Sequence, residues 1–129
     1  MKTYWDASAI VAAVWEPQLK HRLQTERGLT RSHALAETFS ALTGNPQTRI
    51  DADDAAAVIS HLCASLDFVD LTAPELLAAL SLAKKRGVRG GRVHDYLHAV
   101  AAEKADADKI LTLDRNDFDG LTKLALEIV

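Results

Sequence analysis

The feature of this sequence that most constrains its fold is a regular alternation of short apolar segments with longer helical ones. Residue type and periodicity predict short strands at residues 2–6, 29–31, 68–71, 109–113 and 124–128. They predict helices between these strands at residues 7–14, 17–27, 33–42, 52–66, 73–86 and 94–105. Strands that alternate with helices favour a parallel sheet covered on both faces. We therefore expect an α/β fold with a central, mostly parallel sheet of four to five strands.

Boundary residues support this division of the chain. Pro17 stops the first helix, and Gly28 is expected to end the second. Residues 43–46, Thr-Gly-Asn-Pro, form a strong break after the third helix. Asp51 is a favourable cap for the fourth helix. Residues 72–75, Thr-Ala-Pro-Glu, have the pattern of a capping box with proline in the first turn.

Length and composition limit the class of protein. The chain has 129 residues, so we treat residues 1–129 as a single domain, and 48% of them are hydrophobic, which suffices for a buried core. With a formal net charge of −3, any nucleic-acid partner needs a local basic patch. The single cysteine, Cys63, excludes an internal disulfide and a cysteine-based zinc site. No apolar segment has the length of a membrane span, and residues 1–6 lack the apolar region of a signal peptide, so we expect a cytoplasmic protein.

Several acidic residues lie where a parallel sheet binds its ligands. Asp6 and Asp114 each follow a predicted strand, and Asp95 lies at the start of the helix that leads into the strand at 109–113. Ligands of such sheets bind beyond the carboxyl ends of the strands, near the switch in strand order. These three carboxylates are therefore candidates for a common site.

Each acid also has a purely structural interpretation. Asp6 can cap the helix that follows it, and Asp95 can favour the positive end of a helix dipole. Glu37 lies opposite the apolar positions of its helix, so periodicity alone predicts a solvent-exposed side chain. The aspartates of residues 114–120 are suited to a turn. Taken singly, no acid indicates a function.

Four short motifs, taken together and in order, resemble those of the PIN-domain nucleases. Residues 3–9 (TYWDASA) resemble the opening strand, acid and helix, and residues 33–37 (HALAE) resemble the second motif, a glutamate inside an early helix. Residues 93–102 (VHDYLHAVAA) resemble the third, an aspartate that leads an alanine-rich helix. Residues 111–118 (LTLDRNDF) resemble the fourth, a strand-ending Thr-x-Asp followed by x-x-Asp-Phe. The resemblance covers essentially the whole chain, whose length and build are similar to those of VapC-type toxins of bacterial toxin–antitoxin pairs.

This resemblance implies a PIN-like α/β/α sandwich and a metal-dependent endoribonuclease. Oxygen-only ligands favour Mg²⁺ or Mn²⁺, and one carboxylate would orient or deprotonate the attacking water. The implied ligands and catalytic residues are Asp6, Glu37, Asp95 and Asp114, with Asp117 as an additional or substitute ligand. Ser8 and Thr112 would hydrogen-bond Asp6 and orient it, although both also suit an ordinary turn or strand. The implied partners are an RNA substrate, a VapB-like antitoxin and a second copy of the chain in a homodimer.

Three positions depart from the family pattern. Trp5 is bulkier than the aliphatic residue usual before the first aspartate, and His94 stands where tyrosine or another hydrophobic residue is common. Both Asp114 and Asp117 fit the last motif, so the sequence leaves the fourth ligand open. None of these departures removes a carboxylate.

Positive charge is concentrated next to Asp95. Nine positions carry five cations, namely Lys84, Lys85, Arg86, Arg89 and Arg92. The carbonyl groups of a helix C-terminus account for the first three but not for Arg89 and Arg92, which flank two glycines. We therefore predict that Arg89 and Arg92 contact RNA phosphates, with Arg115 as a weaker candidate.

Three other functions each fit part of the sequence. His94 and His98, four positions apart on one helix, could bind a transition metal or place a general base, but they lack the glutamate of a His-Glu-x-x-His motif. A non-catalytic PIN-like module could bind RNA or protein, although the presence of all four acids argues against a decayed site. A phosphatase with Asp6 as nucleophile is disfavoured, because Ser8 stands where haloacid-dehalogenase-like phosphatases carry a second aspartate.

Overall fold

The computed structural model describes residues 1–129 as five strands, six α-helices and two short 3-10 turns. The strands are β1 (Thr3–Trp5), β2 (Leu29–Thr30), β3 (Asp67–Phe68), β4 (Lys109–Thr112) and β5 (Ala125–Ile128). The helices are α1 (Ala7–Trp15), α2 (Pro17–Glu26), α3 (His33–Gly44), α4 (Ala52–Cys63), α5 (Ala73–Ser81) and α6 (Val93–Lys104). The 3-10 turns are Gly90–Arg92, before α6, and Arg115–Phe118, after β4. No helix is both long enough and apolar enough to cross a membrane.

All five strands are parallel and form one sheet in the order β3-β2-β1-β4-β5, which confirms the predicted fold class. The chain leaves β1 toward β2 on one side and reaches β4 on the other side. The strand order therefore switches between β1 and β4. As a result, the residues that follow β1 and β4 meet at the carboxyl edge of the sheet, at its switch point.

The central strands are buried on both faces, because successive side chains of a strand point to opposite sides. Trp5 of β1 and Leu111 of β4 belong to the core that α1 to α4 cover. Tyr4 and Ile110, their neighbours in sequence, belong to the core that α5 and α6 cover. All four side chains have no exposed surface. The sheet is thus the middle layer of an α/β/α sandwich.

The strand predicted at 68–71 is wrong in its position, because β3 contains only Asp67 and Phe68. The Asp70 carboxylate accepts hydrogen bonds from the backbone N–H and the hydroxyl of Ser32, both at 2.7 Å. The Val69 N–H still donates to the Thr30 carbonyl at 2.8 Å, and beyond it the Asp70 contact ties the segment to the start of α3.

Two helices end three or more residues earlier than the sequence predicts. α4 ends at Cys63, three residues before the predicted end at Leu66. α5 begins at the predicted capping box, which is confirmed, but it ends at Ser81. The residues after it form tighter turns, with the Ala83 N–H donating to the Leu80 carbonyl at 3.1 Å, and the Val88 N–H then donates back to the Ala83 carbonyl at 2.9 Å. Val88 is buried, so the chain turns back toward the core at this point, whereas a continued helix would not return to it.

Gly28 does not serve as the predicted end of α2. The helix ends at Glu26, and the residue that caps it, Arg27, itself adopts a left-handed conformation with φ of 55°. Gly28 meets a different requirement, since a Cβ atom there would lie 2.5 Å from Nε1 of Trp5. The indole that departs from the family pattern therefore fits only against a residue without a side chain.

Candidate active site

Asp6 is the one acid in the molecule that is fully buried, with 3% of its surface exposed. It follows β1 and caps α1, because its Oδ1 accepts hydrogen bonds from the Ala9 N–H at 2.9 Å and the Ser8 hydroxyl at 2.7 Å. Its Oδ2 accepts from the Thr112 hydroxyl at 2.6 Å. Burial raises the pKa of Asp6, and these hydrogen bonds offset part of that rise. The side chain that caps the helix is thus also held rigidly at the switch point.

Asp6 lines a cavity of about 270 Å³ together with three other acids, each from a different element. Glu37 comes from the middle of α3 and Asp95 from the first turn of α6. Asp117 comes from the 3-10 turn after β4. The other polar lining residues are Ser8 and His98. We call this space the acidic cavity.

The carboxylates of the acidic cavity repel one another. Burial, together with the negative charges of Asp117 and Asp6, raises the pKa of Asp95 to about 6. Burial and the charges of Asp114 and Asp6 also raise the pKa of Asp117. No lysine or arginine forms a salt bridge with Asp6, Asp95 or Asp117. Oxygen ligands whose negative charge no salt bridge neutralises fit a hard divalent cation such as Mg²⁺ or Mn²⁺.

Asp114 does not line the acidic cavity. Its side chain is exposed, and its Oδ1 accepts a hydrogen bond from the Asn116 N–H at 2.9 Å, which caps the 3-10 turn. The negative charge of Asp114 affects the cavity only indirectly, because it raises the pKa of Asp117. Of the two aspartates in the last motif, the structure therefore brings Asp117 to the other acids.

Glu37 is bound to a buried histidine that the sequence did not assign to the site. Its Oε1 lies 2.6 Å from Nε2 of His98, whose Nδ1 lies 2.7 Å from the Tyr4 hydroxyl. An ionised carboxylate only accepts, so Nε2 of His98 donates to Glu37, while Nδ1 lies at hydrogen-bond distance from the Tyr4 hydroxyl. Burial raises the pKa of Glu37, but the hydrogen bond from His98 and nearby imidazole charge outweigh it and leave that pKa lowered.

The prediction that Glu37 is solvent-exposed is wrong. α3 packs on two sides, since Ala34, Thr38 and Leu42 are buried against the core while Glu37 faces α6. Periodicity reports only the core-facing side of a helix and does not detect a second, polar contact. One signal for His98 was available: it lies three positions after Asp95, a spacing that places both side chains on the same face of α6.

His94 and His98 do not form a joint site. His98 is 1% exposed, whereas the His94 ring is exposed and stacks on His33, with ring centroids 5.3 Å apart and planes inclined by 13°. The two histidines therefore belong to different environments on α6.

The arginines predicted to bind RNA lie in the segments that carry Asp95 and Asp117. Arg92 donates to the backbone carbonyl of Asp119, and its charge offsets part of the rise in the Asp117 pKa. Arg115 belongs to the same 3-10 turn as Asp117, and Arg89 precedes the turn that leads into α6. Arg89 and Arg115 are exposed and form no salt bridge.

Comparisons with known proteins agree on the architecture. The family model described as PIN domain matches residues 3–124. The crystal structure of PAE2754 from Pyrobaculum aerophilum is 23% identical, with 97% of this chain and 87% of that chain covered at a TM-score of 0.68. VapBC2 from Rickettsia felis, bound to a DNA fragment from their promoter, is 17% identical, with 98% of each chain covered at a TM-score of 0.69. These two likenesses show a shared fold. Among curated proteins, none matches the chain in sequence.

Proposed function

This chain belongs to the PIN-domain family, and on that basis we propose that it is a metal-dependent endoribonuclease, the toxin of a VapBC-type toxin–antitoxin pair. One observation carries the catalytic part of the proposal. Four carboxylates from four separate elements line one cavity at the switch point of the sheet, and three of them have no basic partner. Such an arrangement raises the free energy of the folded protein, so we infer that it is retained for a bound cation.

The ligands in this proposal are Asp6, Glu37, Asp95 and Asp117. Asp114, which the sequence placed in this set, is proposed only as a charge that acts through Asp117. When bound, Mg²⁺ or Mn²⁺ acidifies water and offsets the negative charge of the phosphodiester. In the hydrolysis, the water oxygen bonds to phosphorus and one P–O ester bond breaks. A cavity carboxylate takes the proton of the water, and the departing oxygen takes up a proton from solvent.

Other residues of the chain would orient these ligands and hold the substrate. Ser8 and Thr112 each donate to one oxygen of Asp6, which prevents rotation of the carboxylate. The chain of hydrogen bonds from Tyr4 through His98 does the same for Glu37. Arg89, Arg92 and Arg115 would contact the phosphates of RNA on either side of the cleaved bond.

The choice of RNA as substrate and the partners also belong to this proposal. The structural neighbour from Rickettsia felis is a complex named VapBC2, which supports a protein antitoxin as partner. A homodimer and a cytoplasmic location stay predictions from the sequence and the family resemblance.

The activity is tested with the purified chain and single-stranded RNA and DNA of the same base sequence. We expect internal cleavage of RNA in Mg²⁺ or Mn²⁺ and no cleavage in EDTA. The cleavage rate of Asp6→Asn and of Asp95→Asn should be lower than that of the native chain by a factor of about 100 or more. Asp54→Asn, which removes an exposed carboxylate from α4, is the matched control and should retain full activity.

Cleavage that persists in EDTA, or in both active-site variants, would exclude the metal–carboxylate mechanism. RNA binding without cleavage and without Mn²⁺ binding would identify a non-catalytic module. The toxin role is tested separately by induced expression in bacterial cells. Growth should stop with the native chain and continue with Asp6→Asn produced at the same level.

A further inference from the structure

A second group of potential ligands lies next to Glu37 and includes no other acid. His33 and Glu37 occupy positions i and i+4 of α3 and therefore share one face of the helix. His94, the second residue of α6, stacks against His33. One ligand atom from each of the three side chains lies within 4.8 Å of the other two. We call this group the histidine cluster.

The histidine cluster is accessible from solvent and its ligand atoms are unengaged. The three residues line an open cleft, and both imidazole rings are exposed. Neither His33 nor His94 has a side-chain hydrogen bond to the protein, whereas every other histidine except the exposed His21 has one. Glu37 accepts a hydrogen bond from His98 through Oε1, and its other oxygen, Oε2, has no hydrogen-bond partner.

We propose that the histidine cluster binds a transition-metal ion of the Zn²⁺ or Co²⁺ type, separately from any ion in the acidic cavity. Two imidazoles and one carboxylate suit these ions, while Mg²⁺ prefers sites made only of oxygen ligands. Three protein ligands are a common set for zinc and leave a fourth position for water or another ligand.

The geometry favours binding for two reasons. His33 and Glu37 come from one rigid helix, so their spacing is set before any ion arrives. Glu37 is also oriented by its hydrogen bond to the buried His98, as metal-binding carboxylates commonly are oriented by a neighbour. Because Glu37 lines both the cleft and the acidic cavity, an ion in the cluster would act on the cavity through this carboxylate.

The test uses Co²⁺, whose visible absorption changes with the number and geometry of its ligands, in buffer with a large excess of Mg²⁺ to occupy oxygen-only sites. We expect the native chain to bind one ion with a saturable absorption change. His33→Ala and His94→Ala should each weaken binding about tenfold or more, because each removes one of three ligands. His21→Ala, which removes an exposed histidine from α2, and Asp95→Asn should both bind as the native chain does.

Two results would overturn the proposal. One is the absence of saturable Co²⁺ binding by the folded native chain. The other is binding that survives His33→Ala and His94→Ala but is lost in Asp95→Asn, since the ion would then lie in the acidic cavity. Circular dichroism is used to check that each variant is folded. Both histidines are exposed, so neither substitution should disturb the packing of the core. Both proposed sites use Glu37. The test needs no nuclease activity, so failure of the histidine cluster to bind Co²⁺ is distinguishable from failure of the proposed function.

Discussion

At the scale of single residues, one side chain of the candidate site can both stabilise the fold and act as a metal ligand. Asp6 satisfies the first turn of α1 with one oxygen and accepts from Thr112 with the other. Helix capping and metal binding do not exclude each other, because a carboxylate has about four lone-pair sites and can accept hydrogen bonds while it binds an ion. The structural interpretation of Asp6 is therefore correct without excluding the functional one.

The two aspartates of the last motif are expected to differ in function. Asp117→Asn should weaken Mn²⁺ binding and RNA cleavage about 10- to 100-fold, because its carboxylate lines the acidic cavity. Asp114→Asn should have a much smaller effect, since asparagine can still accept from the Asn116 N–H and cap the turn. Calorimetric titration with Mn²⁺ and cleavage assays measure both. A larger loss in Asp114→Asn than in Asp117→Asn would contradict this assignment.

Removal of the Asp95 charge should stabilise the metal-free protein at neutral pH. The pKa of Asp95 is raised from 3.8 to about 6, so folding disfavours its ionised form. This destabilisation is absent below the unfolded value of 3.8 and complete above about 6. Asp95→Asn should therefore gain about 1–2 kcal/mol above this window, after allowance for partial exposure, and nothing below it.

Urea unfolding in EDTA at pH values on both sides of the window measures that gain. Asp54→Asn is the control, because it removes an exposed carboxylate at the start of α4 and should not stabilise the protein. Saturating Mg²⁺ should reverse the order of stability, since only the native chain keeps this ligand. An equal gain on both sides of the window would show that the ionisation of Asp95 is not its cause.

At the scale of elements, the site depends on contacts that join α3, α6 and β1. His98 of α6 lies between Tyr4 of β1 and Glu37 of α3, at hydrogen-bond distance from both. A buried polar network of this kind orients its members only when every hydrogen bond is made. His98 is therefore interpreted as a positioning residue for Glu37.

His98→Ala should weaken Mn²⁺ binding about tenfold, because Glu37 loses the group that orients it. Tyr4→Phe should have a smaller effect, as it removes the more distant hydrogen bond. His98→Gln can still donate to Glu37 and should recover part of the affinity. Mn²⁺ affinity and thermal stability are measured together: if the two fall in parallel and glutamine recovers neither, His98 has only a packing role.

The contact between β1 and the start of β2 sets a different requirement. Gly28→Ala should destabilise the protein by about 1–3 kcal/mol, because the new methyl group would overlap the Trp5 indole. Gly44→Ala is the matched control, since a Cβ there meets nothing within 4 Å, and it should be neutral or slightly stabilising. Urea unfolding measures both. In the Gly28→Ala chain, Trp5→Leu should restore part of the loss if steric overlap is its cause.

At the scale of the whole molecule, a protein of net charge −3 must bind a polyanion through a local surface. The proposed surface is the set of arginines around the acidic cavity. Arg89→Ala and Arg115→Ala, each in an Asp6→Asn background that prevents cleavage, should reduce the slope of log affinity for RNA against log salt by about 0.7–1. Fluorescence anisotropy over a salt series measures this slope.

Lys123→Ala is the control for this experiment, because Lys123 is exposed and precedes β5, at the opposite edge of the parallel sheet from the cavity. Its slope should equal that of the parent chain. Equal reductions at Lys123 and at the arginines would indicate non-specific attraction in place of a defined surface.

Features that depend only on neighbouring residues could be predicted from the sequence. Alternating strand and helix segments predicted the parallel sheet, and the position of Asp6 after β1 predicted a site at its carboxyl edge. The capping box of α5 was also readable, because its hydrogen bonds join residues three positions apart. Local spacing suffices for these features, since backbone geometry fixes the distances involved.

The set of side chains that face the acidic cavity depends on the packing of distant segments. Asp117 lines it and Asp114 does not, because the 3-10 turn after β4 rotates one carboxylate inward. Glu37 and His98 lie 61 positions apart in the chain and meet only because α3 and α6 approach each other near the end of β1. The same approach brings His33 to His94. Hydrophobic periodicity predicts only which face of a single helix is buried. The contacts described here depend on how two particular helices pack against each other, and no local sequence pattern predicts that packing.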